Sequence, residues 1–191
     1  MKTVEKPIVN PEFKFSTNWL RPKNLATLKD FLSKKNAPIN ILELGTFEGR
    51  SAFYMLDEFC SHKDSTITTI DFTVRKNLEY NLSICNNPKF TFIHDDFFNI
   101  LPKLLTNNKK YDLIYLDGGK NSKITLFSIV NCWELLGKNG ILYLDDYEWG
   151  LDKKERPKEA IDFFLSLYHD EYTLILKNFQ VAVKKIHTDY E

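Results

Sequence analysis

Hydrophobic and polar positions follow two alternating patterns along this chain. Short apolar runs of the kind that form buried strands are separated by segments in which apolar residues recur on one face of a helix. The pattern predicts strands at residues 39–44, 66–71, 90–94, 111–117 and 141–145, and helices at residues 25–34, 50–59, 76–82, 98–105, 122–136 and 157–168. Strands that alternate with helices in this way indicate a parallel sheet covered on both faces.

The last two apolar runs break this alternation. Residues 172–176 and 180–185 are joined by Lys177, Asn178 and Phe179, a connection too short for a parallel crossover, so the two runs must form a hairpin. We therefore predict an α/β fold: a Rossmann-like three-layer sandwich with a mostly parallel seven-stranded sheet and an antiparallel C-terminal hairpin.

The start of the chain fits no regular element. Phe13, Phe15, Trp19 and Leu20 nevertheless give it enough apolar character to pack against the rest, and they are also candidates for a homodimer contact. A length of 191 residues favours one domain. We predict an N-terminal cap segment at residues 1–21 and a single domain at residues 22–191.

The composition of the chain disfavours several classes of binding partner. Lys and Arg total 26 and Asp and Glu total 26, and this zero net charge disfavours nucleic acid as a partner. Cys60, Cys85 and Cys132 lack Cys-x-x-Cys spacing, which is typical of reduced thiols and speaks against a zinc site. No apolar run suits a signal peptide or a membrane span. We expect a cytoplasmic protein with no membrane partner.

The segment from Ile41 to Ser51 predicts a strand, a sharp glycine turn and the start of a helix. Such a turn brings backbone N–H groups and a helix N-terminus close to a ligand. The three-glycine fingerprint of dinucleotide sites fails, because Phe47 and Arg50 stand at its second and third glycine positions. The turn instead has two glycines, Gly45 and Gly49, and a carboxylate, Glu43, two residues before the first of them. This arrangement suits a ligand that has an amino-acid end and a nucleoside end. The predicted cofactor contacts here are Glu43, Gly45, Thr46, Gly49 and Ser51.

Acidic residues follow each predicted parallel strand, where ligands of such sheets bind. Asp71 is placed to accept hydrogen bonds from a ribose diol, or to cap the helix that follows. Asp95 or Asp96 is placed to receive an adenine amino group, and the sequence does not rank the two. Asp117 completes the set of predicted cofactor contacts.

A second group of acids, Asp117, Asp145 and Asp146, ends two strands that we expect to be neighbours. Close carboxylates raise one another's pKa, and a hard cation such as Mg²⁺ removes that conflict. A metal-bound hydroxyl has a lowered pKa, and Lys120 is placed to accept its proton, or is a solvated loop lysine. We predict Asp117, Asp145 and Asp146 as metal ligands, and Lys120 and Asp117 as catalytic residues.

Through these residues the chain resembles the class I S-adenosylmethionine (SAM)-dependent methyltransferases. The Glu-Leu-Gly-Thr-Phe-Glu-Gly stretch resembles their first motif, and Asp71 falls where their ribose-binding acid falls. The resemblance spans Leu25 to Ile186 and includes the reversed terminal hairpin. It implies SAM as the cofactor and methyl transfer as the activity.

Two groups within that superfamily compete as relatives. The residues Asp117, Lys120, Asp145 and Asp146 resemble the metal-dependent O-methyltransferases that act on catechol and caffeoyl-CoA, although Asp146 replaces their usual Asn. The Asp-Asp-Tyr stretch and the later Pro-x-x-Ala-Ile-Asp-x-Phe helix resemble a broad group of small bacterial and viral methyltransferases, in which His usually stands at the position of Lys120. Catechol-type enzymes carry a longer N-terminal helical region, so the second group is favoured. The implied acceptor is a small hydroxylated molecule, with a sugar or nucleotide sugar preferred.

Other functions stay open at this point. A metal-independent methyltransferase acting on another small molecule, or a non-catalytic SAM-binding protein of the same fold, would share these motifs. A nicotinamide oxidoreductase fails on glycine spacing, and a nucleic-acid methyltransferase is disfavoured by the neutral charge.

Overall fold

A central sheet of seven strands organises the chain in the computed structural model, which describes residues 10–32, 37–150 and 152–186. The strands are β1 (Asn40–Leu44), β2 (Thr66–Asp71), β3 (Phe90–His94), β4 (Tyr111–Leu116), β5 (Leu136–Leu144), β6 (Tyr172–Lys177) and β7 (Val181–Lys185). The helices are α1 (Pro22–Ala26), α2 (Lys29–Leu32), α3 (Arg50–Phe59), α4 (Lys76–Ile84), α5 (Phe97–Thr106), α6 (Ser122–Leu135) and α7 (Pro157–Leu167).

The strands run in the order β3-β2-β1-β4-β5-β7-β6. Strands β1 to β5 are parallel to one another, whereas β7 is antiparallel to β5 and β6 is antiparallel to β7. The predicted fold class and terminal hairpin are confirmed. Because β1 pairs with both β2 and β4, the strand order reverses there, and such a switch point opens a ligand crevice at the carboxyl ends of these strands.

The continuous apolar run of β4 reflects burial on both faces of the sheet. Leu113 and Tyr115 pack in the cluster on the side of helix α3, and Ile114 and Leu116 pack in the cluster that contains Trp133 of helix α6. Central strands of parallel sheets have helices on both sides, so both sets of alternating side chains are apolar.

Two predicted boundaries are wrong. The helix expected at residues 25–34 is replaced by α1 and α2 up to Leu32. Helix α1 ends at Ala26, because its C-cap residue Thr27 turns the chain and donates its hydroxyl to the carbonyl of Asn24. Residues 33 and 34 lie outside the described part. Strand β5 begins at Leu136 rather than 141, because Leu136 already pairs with Tyr111 across a register shift. The glycines after Leu136 therefore lie within the strand.

The cap segment is described from residue 10 onward and contains no helix or strand up to residue 21, as predicted. Phe13 stacks on Phe53 of α3 with ring centroids 4.1 Å apart. Its separation from a domain at residues 22–191 stays a prediction. Within the described residues, no helix combines the length and apolar character needed to cross a membrane.

Candidate active site

The turn after β1 is built around Gly45, which has a φ of 98° and donates its N–H to the carbonyl of Ile70 at 2.9 Å. A Cβ at this position would lie 2.5 Å from the carbonyl oxygen of Asp117, so only glycine fits. Gly49 caps α3 with a φ of 86°. The predicted cofactor turn therefore lies directly against the end of β4.

Asp71 holds the glycine turn in place. Its Oδ2 accepts the N–H groups of Thr46 at 3.0 Å and Phe47 at 2.9 Å, and its Oδ1 accepts that of Thr73 at 2.9 Å. Each carboxylate oxygen has two lone pairs, so Oδ1 keeps capacity for a further donor such as a ribose hydroxyl. The ribose contact itself stays a prediction.

Glu43 is fully buried at the end of β1, and the hydroxyls of Ser51 and Thr69 donate to its carboxylate. Burial raises the pKa of Glu43 to about 8, although these two hydrogen bonds lower it. The hydroxyls of Thr46 and Thr69 lie 2.5 Å apart, which extends the network. Glu43 is thus bonded to Ser51 and Thr69, and Thr69 links Thr46 to the same network. Direct contacts of Glu43, Thr46 and Ser51 to a cofactor stay predictions.

The two acids after β3 have structural partners. Asp96 caps α5 by accepting the N–H of Phe98 at 2.8 Å. Asp95 accepts the N–H of Asp96 at 2.8 Å, which, with a hydrogen bond from Asn99, holds its pKa below the ordinary value. An adenine contact from either acid is a prediction that these bonds neither require nor prevent.

A small recess opens at the carboxyl ends of β4 and β5, which are neighbours as predicted. Burial raises the pKa of Asp117 to about 6, and the nearby charge of Lys120 opposes that rise. The ammonium of Lys120 donates to Asp117 Oδ1 at 2.7 Å and also to Asp146 Oδ2. The recess is lined by Leu116, Asp117, Gly118, Gly119, Lys120, Thr125, Leu144, Asp145, Asp146, Pro157 and Ile161.

Asp145 shares this recess but has its own partners. Its Oδ2 accepts a hydrogen bond from the hydroxyl of Tyr115, and its Oδ1 accepts the N–H of Asp146 at 2.7 Å. Burial raises the pKa of Asp145, and the Tyr115 bond works in the opposite direction.

The three predicted metal ligands are brought to one place, but their carboxylates already have partners. Lys120 contacts two of them and Tyr115 contacts the third. Among the residues that the structure describes, no group of three or more His, Cys, Asp or Glu side chains is arranged to hold a metal ion. The donor chemistry suits Mg²⁺, but the observed arrangement does not fit it.

The cap segment lies against the glycine turn. Ser16 donates its N–H to Glu48 Oε2 at 2.6 Å and its hydroxyl to Oε1 at 2.7 Å. Asn77 of α4 donates to the same Oε1 at 2.9 Å. The ring of Trp19, which is 73% exposed, lies 5.2 Å from that of Phe47.

Two hydrogen-bond partners of the buried acids, Thr69 and Tyr115, were not predicted from the sequence, although each is a polar residue in an apolar strand. Thr69 lies within an apolar strand, directly across from Glu43 in the β1–β2 register. Tyr115 lies in the apolar run of β4, where its buried hydroxyl needs a partner. Polar side chains in central strands indicate paired buried groups, but only the register identifies the pairs.

Comparison with known proteins establishes the class. Residues 42–147, more than half of the chain, match the family model described as a methyltransferase domain. The chain belongs to this family, and it is a class I SAM-dependent methyltransferase. No curated protein shows significant sequence similarity to it.

Solved structures share the fold at low identity. MycE, a methyltransferase from the mycinamycin biosynthetic pathway solved with Mg and S-adenosylhomocysteine (SAH), is 15% identical, with a TM-score of 0.65 over 94% of this chain and 53% of that one. SAH-bound PaMTH1 of Podospora anserina is 18% identical, with a TM-score of 0.62 over 88% of this chain and 79% of that one. A candidate O-methyltransferase of Klebsiella pneumoniae is 12% identical, with a TM-score of 0.66 over 90% of this chain and 84% of that one. The chain spans about half the length of MycE, and these likenesses concern the fold.

Proposed function

We propose that this methyltransferase acts on a hydroxyl group of a small acceptor, with a sugar or nucleotide sugar as the favoured class, bound in the recess beyond β4 and β5. One observation supports the proposal most directly. Asp117 touches both halves of the site, because its backbone packs against Gly45 of the cofactor turn while its side chain lines the recess. An acceptor in the recess would therefore lie next to the cofactor.

Bound SAM supplies an electrophilic methyl group on its sulfonium. The protein contributes by positioning the acceptor. When the acceptor oxygen is held in line with the methyl carbon and the sulfur, the activation free energy is lower than for a freely diffusing acceptor, by on the order of 7 kcal/mol in favourable cases. The glycine turn, which Asp71 fixes through its backbone hydrogen bonds, would hold SAM, the methyl donor. The side chains of the recess hold the acceptor side.

Asp117 and Lys120 form the pair that handles the acceptor proton. The Lys120 ammonium donates to Asp117 and Asp146, so it is arranged as a cation that stabilises an oxyanion. The Asp117 carboxylate is then the proton acceptor. The alternative from the sequence is that Lys120 itself is the base.

Arginine separates these two roles. Lys120→Arg keeps a positive charge but cannot accept a proton, because a guanidinium stays protonated in proteins. We expect Lys120→Arg to retain a measurable share of turnover and Lys120→Met to lose more. If both variants are equally inactive while SAM affinity is unchanged, Lys120 is the base.

The activity itself is tested with labelled SAM against a panel of hydroxylated acceptors, with Asp117→Asn as the inactive comparison. Transfer to a sugar or nucleotide sugar that Asp117→Asn abolishes would support the proposal. Cofactor binding without transfer to any acceptor would favour a non-catalytic SAM-binding protein.

Magnesium assistance is a separate proposal for the same recess. MycE was solved with Mg and SAH, and this chain brings three aspartates, Asp117, Asp145 and Asp146, together in its recess. Lys120 and Tyr115 already contact these carboxylates, so the methyl transfer described above does not depend on a metal. Running the same assay with EDTA and with added Mg²⁺ tests the requirement directly.

A further inference from the structure

We propose that Arg21, Lys158 and Lys177 form a cationic subsite that binds a phosphate or diphosphate group of the acceptor. The acceptor is then a phosphorylated sugar, either a sugar phosphate or a nucleotide sugar, rather than a neutral one. The inference rests on the proposed function, because it takes the recess as the place that holds the acceptor hydroxyl.

The two lysines of the subsite share a single carboxylate. Lys158 Nζ donates to Asp162 Oδ2 at 2.6 Å, and Lys177 Nζ donates to Asp162 Oδ1 at 3.4 Å. Two ammonium groups thus face one negative charge. The whole chain has zero net charge, so this positive excess is a local feature and does not follow from a basic composition. A local excess of this kind attracts an anion.

Tyr147 holds the two lysine heads side by side. Its ring centroid lies 4.1 Å from Lys158 Nζ and 5.0 Å from Lys177 Nζ. Its hydroxyl accepts a hydrogen bond from Lys158 at 2.5 Å and donates one to Asp162 Oδ1 at 2.8 Å. The side chains of Lys158 and Lys177 are nevertheless 31% and 40% exposed. The two ammonium groups are therefore positioned by the protein and open to a solute.

Arg21 adds a third positive charge at the turn between β6 and β7. Its guanidinium lies 4.0 Å from the ring centroid of Phe179, whose carbonyl accepts the N–H of Tyr147 at 2.9 Å. Burial raises the pKa of Asp145, and the charge of Arg21 is one of the effects that oppose this rise. Arg21 therefore acts on the recess as well as on this turn. A guanidinium also matches the geometry of two phosphate oxygens.

The subsite borders the recess. Lys158 directly follows Pro157, and Tyr147 directly follows Asp146, and both Pro157 and Asp146 line the recess. The Cα atoms of consecutive residues are only about 3.8 Å apart. One small acceptor can therefore place a hydroxyl in the recess and a phosphate group on the subsite.

Two other acidic residues near the start of α7 have partners of their own. Glu159 accepts a hydrogen bond from Arg156 Nε at 2.9 Å, and Glu155 pairs with Lys123 at 4.0 Å. The carboxylate with which an incoming phosphate competes for the lysines is that of Asp162.

The test is a titration of the full chain with inorganic pyrophosphate, followed by ³¹P nuclear magnetic resonance with SAH present. Lys158→Met and Lys177→Met each remove one ammonium, so we expect each to raise the pyrophosphate dissociation constant at least roughly fivefold. Lys158→Arg keeps the charge and should bind as the wild type does. Repeating the titration with inorganic phosphate distinguishes a subsite for a monophosphate from one for a diphosphate.

Asp162→Asn separates anion binding from a structural role of the lysines. It removes the charge that competes with the anion, so we expect pyrophosphate to bind roughly threefold more tightly or better. If the lysines serve only to fix α7 to the terminal hairpin, Asp162→Asn weakens that contact and does not improve anion binding. That result would show the proposal to be wrong.

Lys109→Met is the matched control. Lys109 also lies beside a tyrosine, 5.3 Å from the ring centroid of Tyr111, but it precedes β4 and therefore lies at the opposite edge of the sheet. The variant removes the same charge and should leave the pyrophosphate affinity unchanged. If it weakens binding as much as Lys158→Met does, the effect is one of net charge and the proposal is wrong.

No binding of pyrophosphate to the wild type, or equal binding to the wild type and both lysine-to-methionine variants, would also overturn it. Circular dichroism and SAH affinity check that each variant is folded, and Lys158→Gln replaces Lys158→Met if that one is not. Because the readout is anion binding, it stands apart from turnover. A failure to methylate any hydroxyl acceptor would overturn the proposed function and leave this result intact.

Discussion

Replacing Glu43 by Gln should change how the stability of this protein depends on pH. Glu43 is fully buried, and its pKa is raised to about 8 from the ordinary 4.5. Between these two values the folded chain keeps a proton that the unfolded chain releases. Stability from this group is therefore fully present below pH 4.5 and is lost as pH rises through the folded value near 8.

The size of the effect follows from the two pKa values. One pKa unit corresponds to about 1.4 kcal/mol, so the full difference is on the order of 5 kcal/mol, of which about 3 kcal/mol falls between pH 5 and pH 8. Gln has the same shape, keeps an oxygen acceptor for Ser51 or Thr69, and does not ionise. The free energy of unfolding of Glu43→Gln should therefore lack the pH dependence that Glu43 gives to the wild type.

The assay is urea unfolding of both proteins without cofactor, from pH 5 to pH 8. We expect the stability difference between Glu43→Gln and the wild type to shift by about 3 kcal/mol in favour of the variant across this range. Glu48→Gln is the matched control. Although burial raises its pKa, hydrogen bonds from Ser16 and Asn77 outweigh that effect and lower the pKa of Glu48.

The stability from Glu48 is therefore lost only as pH falls toward and below the ordinary value, outside the measured window. The difference in unfolding free energy between Glu48→Gln and the wild type should therefore be constant from pH 5 to pH 8. If the Glu43→Gln difference is constant as well, Glu43 is ionised in the folded protein and the reasoning from its burial is wrong.

Three further variants test the geometry of the site. Gly45→Ala places a Cβ 2.5 Å from the carbonyl of Asp117 at a φ of 98°, and we expect a loss of roughly 2–5 kcal/mol of unfolding free energy, measured by urea titration; a near-neutral result would contradict the close packing of the turn on β4. Asp71→Ala removes the acceptor of three backbone N–H groups, so calorimetric SAM affinity should fall by roughly tenfold or more, and an unaltered affinity would exclude its role in the site. Tyr115→Phe leaves Asp145 Oδ2 without its hydroxyl partner and should cost about 1–3 kcal/mol of stability, whereas no loss on denaturation would show that water replaces the bond.

Local patterns were sufficient for the elements around the site and for the residue types at the strand ends. The glycine turn was predictable because its spacing and the strand before it are local features of residues 41–51. The adjacency of Asp117 to Asp145 was predictable as well, since β4 and β5 follow each other along the chain and pair directly. Boundaries were less predictable where a strand begins among glycines, as at Leu136, because the pairing with Tyr111 comes from another part of the chain.

The sequence by itself determined the alternation of strands and helices, the reversed hairpin and the acidic rim, because these depend on periodicity, connection length and position at strand ends. Only the tertiary structure decided which partner each buried carboxylate has: Thr69 and Ser51 for Glu43, Tyr115 for Asp145, and Lys120 for Asp117. The physical reason is that these contacts depend on the register between strands and on the path of a loop. A carboxylate away from water takes the nearest donor that this packing brings to it, whether that donor is a hydroxyl, an ammonium or a metal.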